Sequence, residues 1–181
     1  MLTDLQKRKL PNLFNVHDLN KDGELEQSDF TQYTRRIAGT RGWAPGSPQY
    51  NELLGKFMVF WEGLRGIADT RHDQRVTLDT WFAYWEQILG TKGMYDQILH
   101  PLADLIFKLL DSDGDGAVKA DEYALLYSSG GIDPKLAAAA FSRLDMDHDG
   151  QLSVDELLKL LGQFFRSNDP EEPGNWLFGP F

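Results

Sequence analysis

The chain is predicted to be all-α, built from four helix–loop–helix units in two pairs. Three observations point that way. Loops rich in Asp and Gly recur along the 181 residues. Apolar residues flank each loop at spacings of three and four, which places one stripe on one face of a helix. Two of the loops start 34 residues apart, at Asp111 and Asp145, a spacing suited to helix–loop–helix units that work in pairs.

Those two loops read Asp111-Ser-Asp113-Gly-Asp115-Gly116-Ala117-Val118-Lys119-Ala-Asp-Glu122 and Asp145-Met-Asp147-His148-Asp149-Gly150-Gln151-Leu152-Ser-Val-Asp-Glu156. Both match the EF-hand calcium loop. Acids stand at positions 1, 3, 5 and 12, and carboxylates so crowded repel one another unless a cation lies between them. Calcium takes hard oxygen ligands from positions 1, 3, 5 and 7 and a bidentate group at 12. The expected ligands are Asp111, Asp113, Asp115, the carbonyl of Ala117 and Glu122. The second set is Asp145, Asp147, Asp149, the carbonyl of Gln151 and Glu156. Gly116 and Gly150, at position 6, permit the sharp turn around the ion.

A third such loop lies upstream, Asp18-Leu-Asn20-Lys-Asp22-Gly23-Glu24-Leu25-Glu26-Gln-Ser-Asp29. Its expected ligands are Asp18, Asn20, Asp22, the carbonyl of Glu24 and Asp29. Asp29 is one methylene shorter than the usual Glu, so bidentate contact is harder. A monodentate ligand suits the six-coordinate shell of magnesium. This site is expected to bind calcium more weakly or to hold magnesium at rest. The fourth loop, Asp69-Thr-Arg71-His72-Asp73-Gln74-Arg75-Val76-Thr-Leu-Asp-Thr80, is degenerate. Arg71 puts positive charge at a ligand position, and Thr80 supplies no carboxylate. It is expected to be metal-free and to pair with the first loop. Leu25 and Val76 stand at position 8 of their loops, as do Val118 and Leu152, and each couple is expected to form a short β bridge. About three Ca2+ are therefore expected, with Mg2+ chiefly at the first site.

The flanking helices follow in order. Leu10, Leu13, Phe14 and His17 precede the first loop, and Phe30, Tyr33 and Ile37 follow it. Gly39 to Pro48 reads as a connecting loop, which helps explain the 51 residues between Asp18 and Asp69. Trp61, Leu64 and Ala68 precede the degenerate loop; Trp81, Tyr84, Trp85 and Ile88 follow it. Gly90 to Gly93, just before His100-Pro101, marks the boundary between lobes. Ala103, Ile106, Phe107 and Leu110 enter the loop beginning at Asp111, and Tyr123, Leu126 and Tyr127 leave it. Gly130-Gly131 ends that helix; Asp133 as N-cap and Pro134 at the first helical position start the next. Ala137, Ala140, Phe141 and Leu144 enter the last loop, and Leu157, Leu160, Leu161 and Phe164 leave it. The expected division is a first lobe over 1–92, a second over 93–168 and a tail over 169–181.

Composition narrows function. Net charge is −10, and three bound calcium ions would bring it to −4. That sign argues against nucleic acid, whose phosphates select basic faces. There are no cysteines, hence no disulfide or thiol chemistry. The N-terminus lacks a signal-peptide core, residue 2 is Leu and not the Gly that myristoylation needs, and no apolar run reaches spanning length. A cytoplasmic monomer is the expectation. His17, His72, His100 and His148 show no zinc spacing. No phosphate loop, nucleophile elbow or zinc-protease motif occurs, and the visible acids belong to the loops, so an enzyme is not expected.

Three acidic loops, a degenerate second loop and a wide first pair resemble the sarcoplasmic calcium-binding proteins, and within them the calexcitin group. Phe60 to Asp69, Trp81-Phe-Ala-Tyr-Trp85, Phe165 to Asp169 and Gly174 to Gly179 carry the closer likeness. It implies four EF-hands packed into one compact globule, and a role in calcium buffering or signalling. Asp29 and Lys119, at position 9 of its loop, depart from the pattern. Position 9 often acts through water, so Lys119 is expected to lower affinity modestly.

The tail carries Trp176, Leu177, Phe178 and Phe181, which do not sit comfortably in water. Docking on the chain's own core is one reading; a plug released by calcium to admit a partner is the other. Two function classes follow: a buffer that recognises no target, and a sensor that opens an apolar groove to a target protein. Sensors favour Met-rich surfaces, and this chain has four Met, which tilts the reading towards a buffer. Photoproteins share the architecture, but the C-terminal His they rely on is missing here, leaving a luciferin-binding protein as a remote alternative.

Overall fold

The computed structural model describes residues 1–129, 133 and 135–180, without the side chains of Leu99 and Leu126. Eight α-helices follow in order: α1 Asp4–His17, α2 Gln27–Thr40, α3 Pro48–Ala68, α4 Leu78–Gly90, α5 Met94–Leu110, α6 Ala120–Ser129, α7 Lys135–Leu144 and α8 Val154–Arg166. Two-residue strands lie between them: β1 Glu24–Leu25, β2 Val76–Thr77, β3 Val118–Lys119 and β4 Gln151–Leu152. They pair antiparallel, β1 with β2 and β3 with β4, so that Leu25 faces Val76 and Val118 faces Leu152. All four are buried.

Local chemistry sets the helix ends. Thr3 caps α1 in a reciprocal box with Gln6, and Ser47 caps α3 ahead of Pro48 at the first turn. The expected helix end at Gly130-Gly131 and the helix-opening Pro134 lie outside the described residues. Lys135 N–H does donate to Asp133 Oδ1 at 2.9 Å. The link after α4 is only Thr91–Gly93, and Gly93 takes φ +83°, the left-handed region open to glycine. Pro101 lies well inside α5 and not at its start; it forfeits one helical hydrogen bond.

One continuous hydrophobic core draws on all eight helices. Trp61, Trp81, Trp85, Tyr123, Phe164 and Phe165 are almost completely buried, each contributing about 1.5–3 kcal/mol by burial. Trp85 of α4 stacks on Phe165 of α8 at 4.3 Å, and Trp81 Nε1–H donates to the Leu10 carbonyl of α1 at 3.2 Å. Arg41, just beyond α2, donates to the Leu109 and Leu110 carbonyls, closing the C-terminal end of α5.

Residues 173–180 pack against α6, α7, α8 and α1. A 3₁₀ turn over Pro173–Trp176 lies on α8. Leu177 and Phe178 are buried, and Phe178 meets Phe164 edge-on at 4.9 Å. Tyr123 and Tyr127 of α6 donate to the Leu177 and Trp176 carbonyls, both at 2.9 Å. Arg143 of α7 lies 4.3 Å over the Trp176 ring. From α1, Asn12 Nδ2 donates to the Gly179 and Pro180 carbonyls. Lys9 Nζ, fully buried, donates to the Gln163 and Ser167 carbonyls and to Asn175 Oδ1, at 3.1, 3.2 and 2.8 Å.

Candidate metal centres

All four loops share one backbone form. Positions 4 and 6 have positive φ in each: Lys21 and Gly23, His72 and Gln74, Gly114 and Gly116, His148 and Gly150. The N–H at position 6 donates to the position-1 carboxylate every time, from Gly23 to Asp18, Gln74 to Asp69, Gly116 to Asp111 and Gly150 to Asp145, at 2.9–3.1 Å. The position-7 N–H likewise donates to the position-5 carboxylate, as Glu24 does to Asp22 and Gln151 to Asp149. Where glycine is replaced, at Gln74, the left-handed conformation costs about 1–2 kcal/mol. The Asp69 carboxylate helps hold it there by accepting from Asp73 and Gln74.

Position 12 also caps the helix that leaves each loop. One oxygen of Asp29, Glu122 and Glu156 accepts from the position-9 N–H of Glu26, Lys119 and Ser153, at 2.9–3.0 Å. In the first and last loops the other oxygen, Asp29 Oδ1 or Glu156 Oε1, is buried with no hydrogen-bond partner among the described residues. So is the second oxygen of Asp18 and of Asp145 at position 1. Each buried acceptor left unpaired costs about 1–3 kcal/mol, and more when charged. A divalent cation between positions 1 and 12 relieves both at once, so these donor sets fit calcium. Carboxylate oxygens of Asp145, Asp147 and Asp149 lie within 4.8 Å of one another, as do those of Asp111, Asp113 and Asp115. Asp29 shows the strain in its ionisation: burial first, then Asp18, Asp22 and Glu26, push its pKa up against the hydrogen bond from Glu26 N–H.

The loop beginning at Asp111 differs. Lys119 Nζ bridges Asp113 and Asp115, lying 2.8 Å from Asp113 Oδ2. Glu122 Oε1 accepts from the N–H and hydroxyl of Ser112. Burial alone would raise the Glu122 pKa, but these bonds and the Lys119 N–H hold it below the usual range. Lys119 thus stands as a tethered cation among the expected ligands. Position 9 showed only an unusual residue in the sequence; that its ammonium reaches positions 3 and 5 needed the fold.

The degenerate loop turns its basic residues across the β1–β2 pair. Arg75 reaches Glu24 Oε2 at 2.8 Å and Glu26 Oε1 at 2.9 Å, and Arg71 reaches Glu24 Oε1 at 3.5 Å and Asp73 at 3.0 Å. These groups are partly exposed, so each pair contributes little. Together they put positive charge beside the first loop. His17, next to Asp18, is ringed by Phe30, Tyr33, Phe57 and Phe60. Burial pushes its pKa down to about 4, so it is neutral near pH 7.

Known proteins align with these elements. An EF hand model matches residues 136–161, and an EF-hand domain pair model matches residues 100–128. Calerythrin of Saccharopolyspora erythraea is 27% identical over 166 residues, covering 91% of this chain and 94% of its own. Calexcitin-1 of Caenorhabditis elegans is 26% identical over 182 residues, covering 95% and 85%. The amphioxus sarcoplasmic calcium-binding protein superposes with a TM-score of 0.80 over the whole of both chains at 22% identity. The coelenterazine-binding protein of Renilla muelleri does so at 0.74, over 99% and 100% at 21% identity; both share the fold. Over most of its length the chain is thus similar to calcium-binding EF-hand proteins, calerythrin, the sarcoplasmic calcium-binding proteins and calexcitin-1 among them.

Proposed function

We propose that the chain is a cytoplasmic, monomeric calcium buffer with four EF-hands in two lobes, over 1–92 and 93–168, and a tail over 169–181 that keeps the core closed. It binds three ions, at the ligands given above for the first, third and fourth hands, and the second hand is metal-free. The first site takes magnesium when calcium is low. The observation that carries this reading is the set of buried, unpaired oxygens on Asp18, Asp29, Asp145 and Glu156, which call for a cation at positions 1 and 12. The tail's ties to α1, α6, α7 and α8 favour a buffer over a sensor that opens to a target protein. A luciferin site of the photoprotein kind is disfavoured, because Trp81, Trp85 and Phe165 are buried against one another.

The test is calorimetric titration of the full chain. Three calcium ions are expected, and Glu122→Gln and Glu156→Gln are each expected to remove one. Stoichiometry unchanged in both variants would overturn the ligand assignment.

A further inference from the structure

The four loops divide by how far their own groups satisfy their carboxylates. In the first and last, Asp18 and Asp145 each keep one buried oxygen without a partner among the described residues, as do Asp29 and Glu156. In the loop beginning at Asp111, both oxygens at position 1 and both at position 12 accept hydrogen bonds. Asp111 Oδ1 accepts from Gly114 N–H at 2.7 Å and Asp115 N–H at 3.2 Å, and Oδ2 from Gly116 N–H at 3.1 Å. Glu122 Oε1 accepts from Ser112 N–H at 2.6 Å and from its hydroxyl, and Oε2 from Lys119 N–H at 3.0 Å. Positions 3 and 5 are held as well, by the Lys119 ammonium that joins Asp113 and Asp115.

The degenerate loop shares these features. Both Asp69 oxygens accept from backbone N–H groups, and Arg71 Nε lies 3.0 Å from Asp73 Oδ2. Each β pair therefore joins a loop with unmet oxygens to one that carries its own cation. The two internal cations differ in one respect. Arg71 itself occupies position 3, and Thr80 stands at position 12, so no full ligand set remains there. Lys119 reaches in from position 9 on a flexible four-carbon stem. Its side chain is 39% exposed, and it leaves every expected ligand in place. Crowded carboxylates favour a cation because they repel one another. Lys119 already relieves part of that repulsion, so an ion entering this loop must displace bonds that the first and last loops lack.

Given the three-ion reading above, we propose that Lys119 is an internal competitor for calcium, which makes the Asp111 hand the last of the three to fill. At low calcium Lys119 holds Asp113 and Asp115, and Ser112 holds Glu122. As calcium rises, Lys119 turns out to solvent and Glu122 leaves Ser112. The chain then buffers over a wider range of free calcium than three alike hands would.

The test reads the lysine directly. The full chain is treated with limiting N-acetoxysuccinimide, which acetylates free amines, and the products are mapped by peptide mass spectrometry. Lys92, exposed in the link between α4 and α5, is the internal reference. With a calcium chelator present, Lys119 is expected to react several-fold more slowly than Lys92; saturating calcium should remove that protection. Equal reactivity without calcium, or protection that calcium leaves unchanged, overturns the proposal. Calorimetric titration supplies a second arm. Lys119→Gln is expected to tighten the weakest calcium step on the order of tenfold, because two exposed pairs and a like charge beside the ion are removed. The count should stay at three, with the other two steps unmoved. Lys119→Arg, which keeps the charge, should leave the weakest step weak. Glu122→Gln should delete the weakest step, and Glu156→Gln a tighter one. Unaltered affinities in Lys119→Gln, or loss of the tightest step in Glu122→Gln, would overturn the proposal while the three-ion reading stands. An unchanged count in Glu122→Gln would overturn both.

Discussion

Asp29 carries two duties on one short carboxylate. One oxygen caps α2 through Glu26 N–H; the other is buried and unpaired. Asp29→Glu adds the reach that a bidentate calcium ligand needs. Calcium affinity at the first site is expected to rise on the order of tenfold, with magnesium competing less well, in calorimetric titrations made with and without magnesium. Unchanged affinity would mean that position 12 does not limit this site. Lys9 is a different case, since its acceptors all come from residues 163–175. Burial lowers its pKa to about 8, against a smaller upward pull from Glu172. Between that value and the ordinary 10.5, the unfolded chain holds a proton that the folded chain has lost. Stability should therefore rise with pH from about 8 towards 10, by at most about 1.4 kcal/mol per pH unit. Below that window the cost of burying the charge is fully present. Above about pH 10 the buried tyrosines act in the opposite sense, because burial pushes Tyr84 and Tyr95 up to about 12. Urea unfolding across this range should show the slope in the native chain and lose it in Lys9→Met.

At the scale of elements, the tail is the part most sensitive to a single added atom. A Cβ on Gly174 would lie 2.2 Å from the Leu160 carbonyl and 2.7 Å from the Gln163 Cβ, too close for either to absorb. Gly174→Ala should destabilise the protein by about 1–3 kcal/mol, seen as a lower thermal midpoint in calcium; an unchanged midpoint would show that the 3₁₀ turn is not docked. Nothing in the sequence marks Gly174 as different from its neighbours, because the clash depends on α8 lying beneath it. The loops were legible for the opposite reason. Their ligands lie within twelve residues of each other, and Leu25, Val76, Val118 and Leu152 follow from loop position alone. Helix faces such as Leu10, Leu13, Phe14 and His17 were legible from their period. What pairs with what across the chain was not: Lys9 with Asn175, Arg75 with Glu24, and the reach of Lys119 back to Asp113 are set by tertiary placement.

Taken whole, the molecule is tied together by its tail, which bonds to α1, α6 and α8 and packs on α7. The tail joins both helices that lie between the last two acidic loops, through Tyr123, Tyr127 and Arg143. An anionic hydrophobic dye, added in magnesium before and after calcium, should therefore show no rise in fluorescence, or a fall. A large rise would mean that the tail lets go and that the chain is a sensor. The same closure shapes how the chain comes into being. Gln6, Lys9 and Asn12 find their partners 154–168 residues further along. At about 5–20 residues per second of synthesis, α1 waits roughly ten to thirty seconds for them. The acidic loops are all made within that interval and can begin to fold around their ions. Lys9 has no acceptor until residues 163–175 emerge, so this part of the core closes only after every acidic loop has been made.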